Sequence, residues 1–390
     1  MRHKTHDRQH PLTDNPASAA HHPDTPGKYI STLLRLTLIL LTATLTTQSK
    51  AQWDIEESHT TASLRGIHNV GGGVAWASGT HGTVRRTEDG GYLWQTCTIP
   101  PGAENLDFRG IQAFDENTAI VMSSGPGDQS RLYKTTDGCQ TWKLLFTNPD
   151  KEGFWDALAV RENGSSFILG DPVSGEFKLF CQMSDNDPKW SEGCSQEPFR
   201  AKKDEAAFAA SNSSLSLIDD DDLCFVTGGP LPEMICQHNG VFGRSGKIVN
   251  GNRRLALPLA SGSSAGAFSI ARANATKFPV VGGDYQKPND TSGTAAYTTD
   301  GGKTWIAAKT PPHGYRSSVA YDPTQKLWIT VGPNGTDISR DDGKNWQPLK
   351  PSGYDPPDAD KNWNALSLPF VVGPNGRIGK LRTITPPPKP

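Results

Sequence analysis

No stretch of this chain is apolar over the roughly 20 residues that a membrane-spanning helix needs. The longest apolar run, residues 33–45, is about 13 residues long. No basic excess exists either: 39 Lys and Arg face 41 Asp and Glu, for a net charge of −2. That excludes a nucleic-acid surface, which needs a basic patch. Histidine gives no metal-ligand spacing, because five of the ten lie before residue 23. His81, His238 and His313 stand alone. No dinucleotide fingerprint occupies a strand–turn–helix setting. What the chain has in quantity is turn formers, 40 Gly and 30 Pro. Such a composition suits short strands and argues against a helical bundle.

The first 51 residues read as a leader. A polar n-region with Arg2, Lys4, Arg8 and Lys28 precedes the apolar run at 33–45, and Ser49-Lys50-Ala51 has the small-x-small form of a cleavage site. Cleavage after Ala51 leaves no stable membrane span; the alternative is an uncleaved anchor. Export places the mature protein in the periplasm or outside the cell, where disulfides persist. Cys181 and Cys194 are symmetric about a turn at Asp187-Pro188, and Cys224 and Cys236 about Pro230. Opposed positions in a hairpin are close enough to bridge. Cys97 and Cys139 are left over, and their pairing stays open.

The main organising feature is an internal repeat. The string TTDGGKTW at 298–305 recurs as TEDGGYLW at 87–94, TTDGCQTW at 135–142 and SRDDGKNW at 339–346. A decayed copy, MSDNDPKW at 183–190, keeps only Asp185 and Trp190. Each intact copy is preceded by short apolar runs split by Gly, Asn and Asp turns, the pattern of successive hairpins. Four antiparallel strands per unit, repeated, make a β-propeller. Asp89, Asp137 and Asp185 are spaced by 48 residues, Asp185 and Asp300 by 115, and Asp300 and Asp341 by 41. The long interval holds one unit without the motif. Residues 363–381 supply three more strands, and WDIEESHTTASLRGI at the mature N-terminus supplies the fourth. The expectation is an all-β, seven-bladed propeller over residues 52–383, its last blade closed by an N-terminal strand, with an extended tail at 384–390.

In this reading the repeated string is the turn between strands three and four. Ser/Thr and Asp side chains bond backbone N–H groups there, and Gly takes angles other residues avoid. The tryptophans, Trp94, Trp142, Trp190, Trp305 and Trp346, pack where blades meet. Asp89, Asp137, Asp300 and Asp341 lack the ligand run and closing Glu of a calcium loop, so their role is structural. The acidic run at 218–222 reads as a solvated turn.

These copies resemble the Asp-box, or BNR, repeats of sialidases, sortilin-type receptors and the photosystem II stability/assembly factor family. Strings such as GTVRRTEDGGYLWQ, GDPVSG, VVGGDYQKP and GYRSSVAYDP resemble most closely the last family and its bacterial, non-photosynthetic relatives, often labelled oxidoreductases. The resemblance covers most of residues 53–381. It implies a scaffold or assembly factor that binds a protein partner, without a cofactor. The alternative it implies is a sialidase-like glycoside hydrolase, although the Arg-Ile-Pro string of those enzymes is absent.

The candidate site follows from blade geometry. Arg65 in LRGI, Arg109 in FRGI and Arg316 in YRSS are aligned at the start of strand one, where innermost strands surround the channel. Asp156 and Asn364 fall near the same register. On the same face, turns between strands two and three carry His81, Asp171 and Asp284, the last beside Tyr285. Converging guanidinium groups favour a carboxylate or anionic glycan; the competing reading is a charge network that holds the mouth together. An open pocket with convergent Arg and a carboxylate pair, for which Asp171 and Asp284 offer themselves, favours the hydrolase. A flat or plugged mouth favours the scaffold, which is expected to be a monomer.

Overall fold

The computed structural model describes residues 52–384 apart from 185–188, 193, 195–196, 218–221, 239–250, 352 and 354. The leader, the tail from residue 385, Asp185, the Asp187-Pro188 tip and most of the acidic run therefore lie outside the described residues. The only helical element among the described residues is a single 3-10 turn at Gly127–Gln129. None of them forms a helix long and apolar enough to cross a membrane.

Seven antiparallel sheets form the blades. Blades one, two and three begin with Leu64–Gly71, Phe108–Ala113 and Trp155–Val160. Blades four, five and six begin with Leu215–Leu217, Gly262–Ile270 and Ser318–Asp322. Blade seven joins Ala365–Ser367, Phe370–Val372 and Ile378–Leu381 to the N-terminal strand Trp53–Glu56. Trp53 lies opposite Leu381 and Glu56 opposite Ile378, so the chain's two ends close the ring in one sheet. Closure of this kind removes the edges on which a sheet would aggregate. First strands of neighbouring blades pack on one another around the axis.

The core lies between blades rather than within one central layer. Trp94 of blade one meets Phe370 of blade seven edge-on, with ring centres 5.5 Å apart. Trp190 of blade three stacks on Phe146 of blade two at 5.5 Å. Trp142 packs with Trp76 and Val84 of blade one, and Trp346 with Phe278 and Val280 of blade five. Trp53 packs on Leu327 and Ile329 of blade six. Each tryptophan thus covers the preceding blade. Trp305 meets Phe278 of its own blade edge-on and packs on the cluster that includes Met234 of blade four, but stays half-buried.

The intact repeated turns share one hydrogen-bond scheme. Thr298 Oγ1 donates to Asp300 Oδ1 at 2.8 Å and accepts from Gly302 N at 2.9 Å, while Asp300 Oδ1 accepts from Thr304 N at 2.9 Å. The same bonds recur at Thr87 and Asp89, at Thr135 and Asp137, and at Ser339 and Asp341. Bonds from Thr141 and Thr304 hold the Asp137 and Asp300 carboxyls down at about 2.

The one departure in this motif, Cys139, also has an explanation. Gly91, Gly302 and Gly343 hold the fifth position with positive φ, and Cys139 adopts the same angle, φ 64°. A Cβ at those glycines would lie 2.8–2.9 Å from Phe370, Met234 or Pro279 of the preceding blade. The position therefore aims a side chain at the neighbouring blade. Cys139 uses that direction to bond Cys97 of blade one, with Cα atoms 5.3 Å apart. The remaining four cysteines bridge within blades, Cys181 to Cys194 and Cys224 to Cys236. No cysteine among the described residues is free.

Candidate functional site at the channel mouth

The site is built from backbone irregularities. In blades one, two, three and five, the first strand slips register by one residue against the second, between Leu64 and Gly66, Phe108 and Gly110, Trp155 and Ala157, and Ala267 and Ser269. The extra residues are Arg65, Arg109, Asp156 and Phe268. A bulged residue leaves the ladder and its side chain is re-aimed. All four line one cavity of about 460 Å³ at the mouth of the channel. Asp171 sits at a second slip, between Gly170 and Pro172, and lines the same cavity.

A plug forms the floor. The segment 206–214 precedes the first strand of blade four and lies across the axis. Ala207 N donates to Asp171 Oδ1 at 2.9 Å, and Ala209 O accepts from Arg109 Nη1 at 3.2 Å. Ser211 Oγ donates to Ser317 O at 2.6 Å, Asn212 bonds both backbone groups of Leu158, and Ser213 Oγ donates to Ser269 Oγ at 2.7 Å. These partners belong to blades two, three, five and six, so the segment closes the channel. Its Phe208 stacks on Phe268, ring centres 4.0 Å apart and planes 6° apart. Tyr285 stands edge-on to both rings, and Tyr315 edge-on to Phe268 at 4.7 Å. The mouth is thus plugged along the axis and open above the plug.

The charges divide into two groups. Arg109 Nε lies 2.8 Å and Arg65 Nε 3.6 Å from the same oxygen, Asp107 Oδ2. Burial and then the neighbouring Arg109 lower the Arg65 pKa. Across the cavity, Asp156 is 1% exposed and its Oδ2 has no hydrogen-bond partner. Burial, then the adjacent Asp171, push Asp156 well above the usual carboxylate range, against the opposing pull of Arg109. Burial pushes Asp171 up to about 6, opposed by the Ala207 N–H. Burial also raises Tyr315.

Of the residues expected from sequence, Arg65, Arg109, Asp156, Asp171, Tyr285 and Asn364 meet here. Arg316 does not. It is completely buried, bonds Asp337 through Nε at 2.8 Å, and donates to Asn334 Oδ1 at 2.6 Å. Its backbone N bonds Gly282 O of blade five, as Leu64 N bonds Gly373 O of blade seven. Arg316 therefore occupies the buried anchor position of Leu64, and Ser317 takes the mouth position. A slip of one residue reverses the face that a side chain meets. Asp284 also stays apart, accepting from Ser264 Oγ at 2.7 Å and pairing with Lys287 at 3.4 Å. His81 is exposed in a tight turn, with φ 59°, and does not line the cavity. Sequence reading missed Asp107, Phe208, Phe268 and Tyr315. Asp107 had a signal, because it precedes the aligned FRGI string by one residue.

The fold defines a seven-bladed β-propeller with a plugged channel and a polar–aromatic pocket at one mouth. No protein-family model and no curated protein sequence matches this chain. Among solved structures, "YCF48 bound to D1 peptide" is similar over 85% of this chain and 97% of its own, at 17% identity and a TM-score of 0.58. YCF48 from Cyanidioschyzon merolae matches over 85% of this chain and 99% of its own, at 16% identity and a TM-score of 0.54. The GH74 xyloglucanase from Xanthomonas campestris matches over 87% of this chain but 55% of its own, at 14% identity and a TM-score of 0.57. Identities this low establish a shared fold.

Proposed function

We propose that this protein is an exported binding module, of assembly-factor type, whose mouth pocket receives an anionic group of a protein partner. The observation that supports it most directly is the pairing of Arg65 and Arg109 on one Asp107 oxygen at the wall of a 460 Å³ cavity. Two guanidinium groups against one carboxylate leave a positive charge facing the pocket. A carboxylate bound by such forks gains charge-assisted hydrogen bonds, each about 1.5–3 kcal/mol. The YCF48 structure with a D1 peptide is a precedent for a peptide on this fold. Three disulfides fit an oxidising compartment, periplasmic or extracellular.

A sialidase-like hydrolase has one observation in its favour, the carboxyl pair Asp156 and Asp171 in the pocket. A glycosidase places its two carboxyl groups on either side of the scissile bond, about 5–9.5 Å apart. Asp156 and Asp171 instead come from adjacent strands of the same blade rather than from facing blades, and Asp284 is bound elsewhere. Binding is the better reading.

The test uses a simple carboxylate, 3-phenylpropionate, followed by protein-observed NMR. Wild type is expected to show saturable shifts of mouth residues. Arg109→Ala is expected to weaken them at least about tenfold, one fork's worth, with the fold retained and a small fall in melting temperature from the lost bonds to Asp107 and Ala209 O. Absence of wild-type binding, or equal binding by the variant, refutes the proposal.

A further inference from the structure

The arginine wall is only half of the pocket. Asp156 lines the cavity at 1% exposure with an unpartnered Oδ2, and no cation among the described residues lies within ion-pair distance of it or of Asp171. Uncompensated carboxyl groups at such depth are costly, and they persist where something supplies the missing partner. The plug satisfies one oxygen of Asp171 through Ala207 N–H and leaves Asp156 unserved. Their neighbours on the other elements are Arg109 and Asp107 from blade two, Arg65 from blade one, and the phenols of Tyr285 and Tyr315. Arg109 bonds Asp107 through Nε and Ala209 O through Nη1 and makes no ion pair with Asp156 or Asp171, and its Nη2 stays available to a ligand. The missing partner must therefore arrive from the cavity.

We propose that the pocket binds a dipolar ligand, with a protonated amine on the Asp156–Asp171 pair, a carboxylate on Arg65 and Arg109, and an apolar body on Phe208 and Phe268. This deepens, and rests on, the anion-binding reading above. The charge layout favours it: a cationic wall and a carboxyl wall share one cavity with the stacked Phe208–Phe268 pair, whose ring centres lie 4.0 Å apart. Aromatic faces accept apolar and planar groups and do not compete with either charged end. The cavity volume lies within the usual range for small-ligand sites, about 300–1,000 Å³. Protonation is balanced. The amine arrives as ammonium, the pair gives up the proton it shares, and that proton passes to buffer. The high carboxyl pKa values agree with a pair that shares a proton until a cation displaces it.

Three probes differ by one group each: L-phenylalanine, 3-phenylpropionate without the amine, and phenethylamine without the carboxylate. L-phenylalanine is expected to bind at least about tenfold more tightly than either. Asp156→Asn is expected to abolish its advantage over 3-phenylpropionate and leave the latter's affinity unchanged. Calorimetry in buffers of different ionisation heat is expected to show proton release with L-phenylalanine and none with 3-phenylpropionate. A capped peptide, acetyl-Lys-Phe-Glu-amide, separates a protein segment from a free amino acid as the source of this chemistry, by which of the two binds more tightly. Equal affinity of L-phenylalanine and 3-phenylpropionate would overturn the amine seat and leave the anion site standing. Failure of both carboxylates would overturn the anion site itself. Binding of phenethylamine as tight as that of L-phenylalanine would overturn the dipolar ligand.

Discussion

The bridge between Cys97 and Cys139 gives the sharpest test of the blade arrangement. It closes a loop of 42 residues across the interface of blades one and two. Restricting an unfolded chain over that length stabilises the folded state by about 4 kcal/mol at 25 °C in the loop-entropy description. The appropriate variant is Cys97→Ala with Cys139→Gly, because glycine is what the other intact copies carry. Cys139 sits at φ 64°, and glycine there relieves about 1 kcal/mol of backbone strain. The net loss is about 3 kcal/mol. For a cooperative unit of about 330 residues this lowers the melting temperature by about 4 °C. The within-blade bridges close loops of 13 and 12 residues and contribute about 3 kcal/mol each. Calorimetric melting of the oxidised proteins is the assay. A double variant that melts at or above wild type would show that position 139 holds a cysteine for some reason other than fastening two blades.

Three further outcomes are expected. Trp346→Ala, at a site 1% exposed, costs about 3–5 kcal/mol in chemical denaturation, and Trp305→Ala costs clearly less because that ring is half-buried; equal losses would defeat the burial argument. Arg316→Ala leaves Asp337 buried beside His313 alone, and it should destabilise by about 3–5 kcal/mol; a wild-type melting temperature would contradict that assignment. Melting against pH has two regions. Asp137 and Asp300 titrate low in the folded protein, so their stabilisation is present above the ordinary value of 3.8 and is lost as pH falls toward 2. Asp171 titrates high, so stability declines as pH rises from 3.8 through about 6, and Asp171→Asn should flatten that decline.

The blades were legible because most of them are packing units that repeat the same turn and the same interface tryptophan. The spacing of Asp89, Asp137 and Asp300 followed from that requirement, and so did the closing strand at Trp53. The site was legible only where it used the repeat. Arg65, Arg109 and Asp156 were found because their neighbours align. Arg316 was misplaced by one position, since "YRSS" matches "LRGI" in letters while the backbone aligns Ser317 with Arg65. A bulge has no letter of its own, so a one-residue offset is invisible until the ladder is seen. Phe208 belongs to AAFAA, a string with neither strand nor helix period, and only the tertiary structure lays it across the axis.

The two ends of the propeller obey different constraints, and this explains why one reads as a repeat and the other does not. At the end with the Asp turns, Thr87, Thr135, Thr298 and Ser339 make the same bonds to Asp89, Asp137, Asp300 and Asp341, because the task at each is to hold a turn and seat a tryptophan. At the mouth the backbone device is repeated but the chemistry is not: equivalent bulges hold two arginines, an aspartate and a phenylalanine. A bulge breaks one step of the ladder whatever residue it holds, so the fold is indifferent to the side chain placed there. Those positions can change without unmaking the blade, whereas the intact Asp turns keep one bonding scheme. The proposed ligand specificity is therefore assigned to the bulges, which is where the charged and aromatic walls of the pocket are found.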